Sequence, residues 1–442
     1  MTYPEAIRFL YSLGNEVKAA KLGLERMNVL LEALGNPHRT GEFIHVAGTN
    51  GKGSVCAMVE AGLRAAGART GLYTSPHLVE PTERIRIAGE PLGEAEFAAA
   101  FDRVHAAAES LIASGAFEAH PTYFETVTAM AFVAFRDGEV RAAVLEVGLG
   151  GRLDATNVIA PRLAVITPID FDHEAFLGSS LEAIAAEKAG ILKSGVRAVF
   201  AAQRPEAARV LSDKAAALGI RPVWTSEWSV KDLALYPGGS CFRVVGPREF
   251  RVDCPLAGEH QVANAITAVA ALDALGLPPD VIREGIRQAR WPGRLERVAA
   301  APEIILDGAH NPAGARSLAA YINRFFDDRR VWLIYGAMRD KAVAEMAAIL
   351  FPLADEIVAT APKQARAVRP GTIRDLAGHP RLRTAETLED ALAVIAREAA
   401  REDAVFISGS LFLVGEARRL ILTGRRASAR TGLRPRILRH GK

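Results

Sequence analysis

Residues Gly48-Thr49-Asn50-Gly51-Lys52-Gly53-Ser54 gather three glycines, a lysine and a hydroxyl between an apolar run, Phe43–Ala47, and a helix-like stretch, Val55–Ala66. A strand, a glycine-rich turn and a helix start make a phosphate cradle. The turn's N–H groups and a helix N-terminus of ~+0.5 charge can surround a nucleotide's phosphates. Lys52 would reach the β- and γ-phosphates, and the Ser54 hydroxyl would face a magnesium ion. The spacing is shorter than the standard G-x-x-x-x-G-K-[ST] pattern: Thr49 and Asn50 alone separate Gly48 from Gly51-Lys52, and Gly53 precedes Ser54. The competing reading is an ordinary glycine-rich turn capped by Ser54.

Other ionisable groups stand at the ends of apolar runs. Glu146 closes Ala142–Val147, where a carboxylate could bind magnesium or bond to a neighbouring loop. The following Gly148-Leu149-Gly150-Gly151 lacks the spacing of a dinucleotide fingerprint. Leu163–Thr167 leads into Pro168-Ile169-Asp170-Phe171-Asp172-His173, and His173 reads equally as a metal ligand or a structural histidine. Lys188, in Glu187-Lys188-Ala189-Gly190, reads by default as a surface lysine. Further on, Ile304–Leu306 runs into Asp307-Gly308-Ala309-His310-Asn311-Pro312, which would hold Asp307 and His310 at the head of a second domain. A helix cap could account for Asp307 or Asn311.

These residues require strands that end together. Phe43–Ala47, Ala142–Val147, Leu163–Thr167, Arg197–Ala201, Glu303–Leu306, Arg330–Ile334, Glu356–Ala359 and Asp403–Ser408 read as strands, several apolar on consecutive residues. That pattern suits strands buried on both faces of a parallel sheet. Helical segments such as Glu94–Ser114, Glu206–Leu218, Val262–Leu275 and Ala313–Phe325 alternate with them, so the fold class is α/β. A boundary near Trp291-Pro292-Gly293-Arg294 gives domains at 1–293 and 294–442, with Trp228–Pro255 as a small β layer closing the first.

Bulk properties narrow the function classes. A net charge of +3 over 442 residues gives no global basic field for nucleic acid. The basic tail, 424–442, reads as a frayed, solvated end, with nucleic-acid contact as the sharper alternative. Three cysteines without metal spacing suit a reducing cytosol. The N-terminus lacks signal-peptide features, and no apolar stretch approaches the ~20 residues of a membrane span.

The ordered motifs resemble the folylpolyglutamate synthase and dihydrofolate synthase branch of the Mur ligase superfamily. The resemblance rests on Gly23-Leu24-Glu25-Arg26-Met27, the phosphate loop, Thr74-Ser75-Pro76-His77-Leu78, Glu83-Arg84-Ile85 and Tyr123-Phe124-Glu125. It continues through Glu146–Asn157, Phe171-Asp172-His173, Glu187–Gly190, His260–Asn264, Pro292-Gly293-Arg294 and Asp307–Pro312. It implies a P-loop-type ATPase domain, a Rossmann-like C-terminal domain and an ATP-dependent amide ligase. The ligase would add L-glutamate to dihydropteroate and to reduced folates through an acyl phosphate, with a folylpolyglutamate synthase lacking the first activity as the nearest alternative. By motif matching, Asn50, Gly51, Lys52, Gly53, Ser54, Asn264, Arg294 and Asp307 would contact ATP. Ser54, Ser75, Glu146 and His173 would hold Mg²⁺, with K⁺ as a further cation. Lys188 matches a lysine that this family carbamylates, which displaces the surface reading. Gly23, Leu24, Glu25 and Arg26, with Thr122, Tyr123, Phe124, Glu125, Leu153 and Asp154, match pterin-holding segments; His310 and Ser410 lie where glutamate is expected. Lys52, Lys188, His173, Asp307 and His310 form the implied catalytic set, in a cytoplasmic monomer with neither nucleic-acid nor membrane partners. A peptidoglycan Mur ligase is disfavoured because 47 residues precede Gly48, too few for a separate UDP-sugar domain. A non-enzymatic ATP-regulated binding protein is the reading from another class.

Overall fold

The computed structural model describes residues 1–14 and 23–431. The chain divides into two compact units. The first comprises Met1–Leu233, Phe242–Asp253 and Ala263–Arg290; the second comprises Ala234–Cys241, Cys254–Val262 and Trp291–Lys442.

The first unit is built on eight strands: β1 Glu42–Ala47, β2 Thr70–Tyr73, β3 Ile85–Ile87, β4 Glu90–Pro91, β5 Ala142–Glu146, β6 Leu163–Ile166, β7 Arg197–Phe200 and β8 Val223–Trp224. Their order is β4-β3-β2-β5-β1-β6-β7-β8. From Phe43 onward in β1, and throughout β5 and β6, the central strands are buried, as largely apolar strands demand when helices cover both faces. Strand β1 pairs in parallel with β5 and β6, with Val46 opposite Glu146 and Ala47 opposite Ile166. This register ends three strands at one edge, so the loops starting at Gly48, Val147 and Thr167 emerge side by side. Strands β3 and β4 turn antiparallel at one margin.

Helix Lys52–Ala65 carries the phosphate loop's lysine and hydroxyl in its first turn. It lies tight against Pro279–Gln288: a methyl at Gly285 would stand 2.3 Å from the Gly62 Cα. The absence of a side chain at Gly285 is therefore what lets the two backbones meet.

Strands β9 Ser229–Tyr236, β10 Gly239–Val245 and β11 Glu249–Cys254 form a separate sheet in the order β11-β10-β9, where short alternating runs mark a β layer.

The second unit's sheet comprises β12 Glu296–Ala300, β13 Glu303–Leu306, β14 Val331–Tyr335, β15 Glu356–Ala359, β16 Leu382–Thr384 and β17 Ala404–Ser408. The order is β12-β13-β17-β14-β15-β16, parallel throughout except for β12. Leu306 lies opposite Ile407, and Tyr335 opposite Ser408, so the turns after β13 and β17 are neighbours.

Helix Leu411–Thr431 takes in residues 424–431 of the basic tail; 432–442 lie outside the described residues. No helix among the described residues is long and apolar enough to cross a membrane.

Candidate active site

The phosphate loop is held by the strand next door. The N–H groups of Thr49 and Asn50 donate to the Pro168 carbonyl at 3.0 and 3.3 Å. The Thr49 hydroxyl donates to the Asp170 carbonyl at 2.9 Å and accepts the Asp170 N–H at 3.1 Å. Gly51 takes φ +84°, a left-handed conformation that side chains disfavour, and a methyl there would come within 2.2 Å of Asn264 Oδ1. That contact places Asn264 against the loop. Lys52 bends back to the Thr49 carbonyl at 3.1 Å, Gly53 follows in the first helical turn, and Ser54 is buried.

Lys188 is buried rather than on the surface, and its Nζ donates to the Gly48 carbonyl at 2.9 Å. Burial lowers its pKa to about 7, helped by the charge of Lys52 and opposed by Asp172 and Asp154. The acidic loop after β6 therefore acts electrostatically on Lys188, through Asp172. His173 sits in that loop at φ +53°, with Nε2 3.8 Å from Asp172 Oδ2.

Glu146, at the buried end of β5, accepts the Ser75 N–H at 3.2 Å. Burial raises the Cys56 thiol well above its ordinary pKa, with Glu146 adding to the rise and Lys52 opposing it. Asp154 is buried and fully engaged: its carboxylate accepts the N–H groups of Gly148 and Leu149 at 3.1 and 3.0 Å, and both the N–H (3.0 Å) and the hydroxyl of Thr156. Burial raises its pKa against those bonds. It shapes the loop after β5, beside a half-buried Leu153.

A third group gathers on the helix Tyr123–Asp137. Thr122 caps it, and Glu125 accepts the Thr122 N–H and hydroxyl, each at 2.8 Å. Arg26 pairs with Glu125 at 2.7 Å, which joins the Gly23–Arg26 segment to this helix start. Tyr123 is buried under Tyr11 and the Arg84 guanidinium, and the Phe124 ring fills the space where a Gly148 side chain would be. Leu24 is half-buried and Glu25 exposed.

In the second unit Asp307 is buried and accepts the N–H groups of Leu295 and Ala309, each at 3.0 Å. Burial raises its pKa, and Arg294 opposes the rise. A methyl on Gly308 would meet Arg294 at 2.1 Å, so the guanidinium lies over this turn. His310 Nδ1 is 2.8 Å from the Gly308 carbonyl, and buried Ser410 stands in the adjoining turn, where the Gly409 N–H donates to the Ala309 carbonyl. Asn311 is the helix cap, accepting the Gly314 N–H at 2.8 Å.

Two contacts at the first unit's edge carry no signature in the sequence. Thr49 clasps Asp170 across a separation of 121 residues, and Thr156 links Asp154 to buried His45, whose Nε2 lies 2.8 Å from its hydroxyl. Both depend on which strands become neighbours, and local spacing carries no information about that.

The Mur ligase middle domain matches residues 46–272, and the Mur ligase glutamate ligase domain matches 293–411. The chain is 38% identical over 437 residues to a dihydrofolate synthase/folylpolyglutamate synthase of Mycobacterium tuberculosis, covering 90% of this chain and 89% of that protein. Among solved structures, it superposes on Mycobacterium tuberculosis folylpolyglutamate synthase complexed with ADP with a TM-score of 0.89 at 36% identity, covering 95% of this chain and 98% of that one. It also matches E. coli FolC in complex with DHPP and ADP, with a TM-score of 0.85 at 31% identity and coverage of 96% and 99%.

Proposed function

This chain belongs to the dihydrofolate synthase/folylpolyglutamate synthase family of Mur ligases, and from that premise we propose a bifunctional ATP-dependent ligase. It adds L-glutamate to dihydropteroate and then to the γ-carboxyl of reduced folates. The observation that carries this reading is the meeting of phosphate loop, buried Glu146 and buried Lys188 at one strand-end edge.

A carboxylate is a poor electrophile because its charge is delocalised and oxide is a bad leaving group. A carboxylate oxygen attacks the ATP γ-phosphorus, ADP departs, and an acyl phosphate results. The glutamate amine attacks the carbonyl carbon, the C–O bond to phosphate breaks, and the amide nitrogen loses a proton. Lys52 and the loop's N–H groups hold the phosphates and oppose the charge that develops during transfer.

The donors near the loop suit a hard divalent cation: the buried Glu146 carboxylate shares the Ser75 backbone, and the Ser54 hydroxyl is buried in the first helical turn. Ser54, Ser75, Glu146 and His173 would hold Mg²⁺. The ion supplies charge neutralisation at the phosphate oxygens.

Lys188 takes its place as a carbamate. With its pKa near 7, a large fraction of the amine is neutral, and it can add to dissolved CO₂ with loss of one proton. The product is an anion at the Gly48 carbonyl. Asn50, Gly51, Gly53 and Asn264 complete the first unit's nucleotide contacts, with Arg294 and Asp307 serving in the second. Arg26 and the Thr122–Glu125 segment, with Leu153, hold the pterin, while His310 and Ser410 receive glutamate. The enzyme acts as a cytoplasmic monomer; three cysteines without metal spacing suit a reducing compartment.

Purified protein supplied with ATP, L-glutamate and dihydropteroate should form dihydrofolate and ADP, and should then lengthen tetrahydrofolate's tail. Activity on tetrahydrofolate alone would reduce the reading to a folylpolyglutamate synthase. ADP release indifferent to both glutamate and pterin would remove the ligase reading.

A further inference from the structure

A second constellation lies apart from the phosphate loop, where helix Glu94–Ala113 faces the segment leading into Tyr123–Asp137. His105, Glu109 and His120 bring one donor atom each within 4.8 Å of one another. His105 Nδ1 stands 3.3 Å from His120 Nε2 and 3.9 Å from Glu109 Oε1. Nitrogen ligands at ~2.0–2.1 Å from a tetrahedral ion are ~3.3–3.4 Å apart, so the two histidines already have that spacing. Glu109 follows His105 by four residues and shares its helix face.

The rings are also oriented for ligation. His120 Nδ1 lies 3.0 Å from the Pro121 carbonyl. A proton there donates to that carbonyl and leaves Nε2 as a lone pair aimed at His105, the arrangement that outer-sphere partners impose on metal-bound imidazoles. Phe101 stacks on His105, and the edge of Phe9 meets both imidazoles, so neither ring turns freely. The charge of Arg26 nearby is answered by Glu125.

We propose that His105 Nδ1, His120 Nε2 and the Glu109 carboxylate form a binding site for a divalent transition-metal ion of the zinc class, completed by water. On binding, His105 carries its ring proton on Nε2. The ion then ties the helix Glu94–Ala113 to the segment preceding the Thr122 cap. Two imidazoles and one carboxylate favour zinc or cobalt over magnesium, which prefers oxygen.

The test uses full-length, tag-free protein stripped with a chelator and titrated with Co²⁺. The expected result is one equivalent with the intense visible bands of a four-coordinate site, displaced by Zn²⁺. His105→Ala and His120→Ala abolish the bands, and Glu109→Gln weakens binding by at least about tenfold, the low end of what an outer-sphere partner contributes. Glu109 is exposed, so its variant should keep the wild-type circular dichroism. Zn²⁺ should raise the melting temperature of wild type and not of either histidine variant. Glu146→Gln, at the phosphate-loop edge, should leave the bands unchanged. Absence of the bands, their survival in both histidine variants, or their loss in Glu146→Gln overturns the proposal and leaves a stacked, hydrogen-bonded histidine pair.

Discussion

Lys188 donates from Nζ to the Gly48 carbonyl at 2.9 Å, so a buried amine 140 residues away braces the first residue of the phosphate loop. Burial penalises a cation in that position, and repulsion from Lys52 adds to the penalty; both lower its pKa to about 7. Conversion to a carbamate reverses the sign of the charge and removes the repulsion.

Lys188→Ala should therefore lower kcat by roughly 100-fold or more, the scale set by losing one group that organises transition-state charge. Acetate or formate should restore part of the rate by occupying the vacated space as an anion. Lys188→Arg, which keeps a cation but cannot form the carbamate, should be as inactive as the alanine variant. Steady-state kinetics with added carboxylates check this; wild-type turnover in Lys188→Arg would contradict it.

The second prediction concerns Gly51. Gly51→Ala meets two obstacles: a left-handed φ worth ~1–2 kcal/mol, and a methyl 2.2 Å from Asn264 Oδ1. The KM for ATP should rise by at least about tenfold, equivalent to ~1.4 kcal/mol. In Gly51→Ala/Asn264→Gly the steric obstacle is gone while the backbone strain stays. Stability should recover partly on thermal melting, without a full return of ATP affinity. Full additivity of the two changes would show that the side chains do not meet.

The strands that carry the site were legible because β1, β5 and β6 are dominated by apolar residues and buried on both faces, with Glu42, His45 and Glu146 the exceptions in sequence. Thr70-Gly71-Leu72-Tyr73 was not, because its glycine replaces a side chain to admit the Phe135 ring, and that partner lies far along the chain. Lys188 shows the same limit within the site. Its helix gives no sign of burial at that position, and the family resemblance, rather than local pattern, pointed inward. Asp307 and Asn311 divided the capping alternatives between them: Asn311 caps the helix, while Asp307 fastens the turn to Leu295.

The third prediction is a pH dependence. His45 is fully buried, and burial lowers its pKa to about 3 from 6.5, with Lys193 adding to the shift. Between those values the unfolded chain takes up a proton that the folded chain refuses, so stability falls as pH drops through that window. At pH 5 the loss amounts to about 2 kcal/mol from this residue. Urea unfolding at pH 7 and pH 5 should show His45→Gln losing less stability than wild type over that interval. Equal losses would contradict the assignment.

The central claim is that phosphoryl transfer activates a pterin carboxylate, and oxygen transfer tests it most directly. Dihydropteroate bearing ¹⁸O in its carboxylate should be turned over with ATP and L-glutamate, and the released phosphate analysed by mass spectrometry. The acyl phosphate route breaks the bond between carbonyl carbon and bridging oxygen, so each phosphate should carry one oxygen from the carboxylate. Phosphate free of label, formed alongside amide product, would contradict the account.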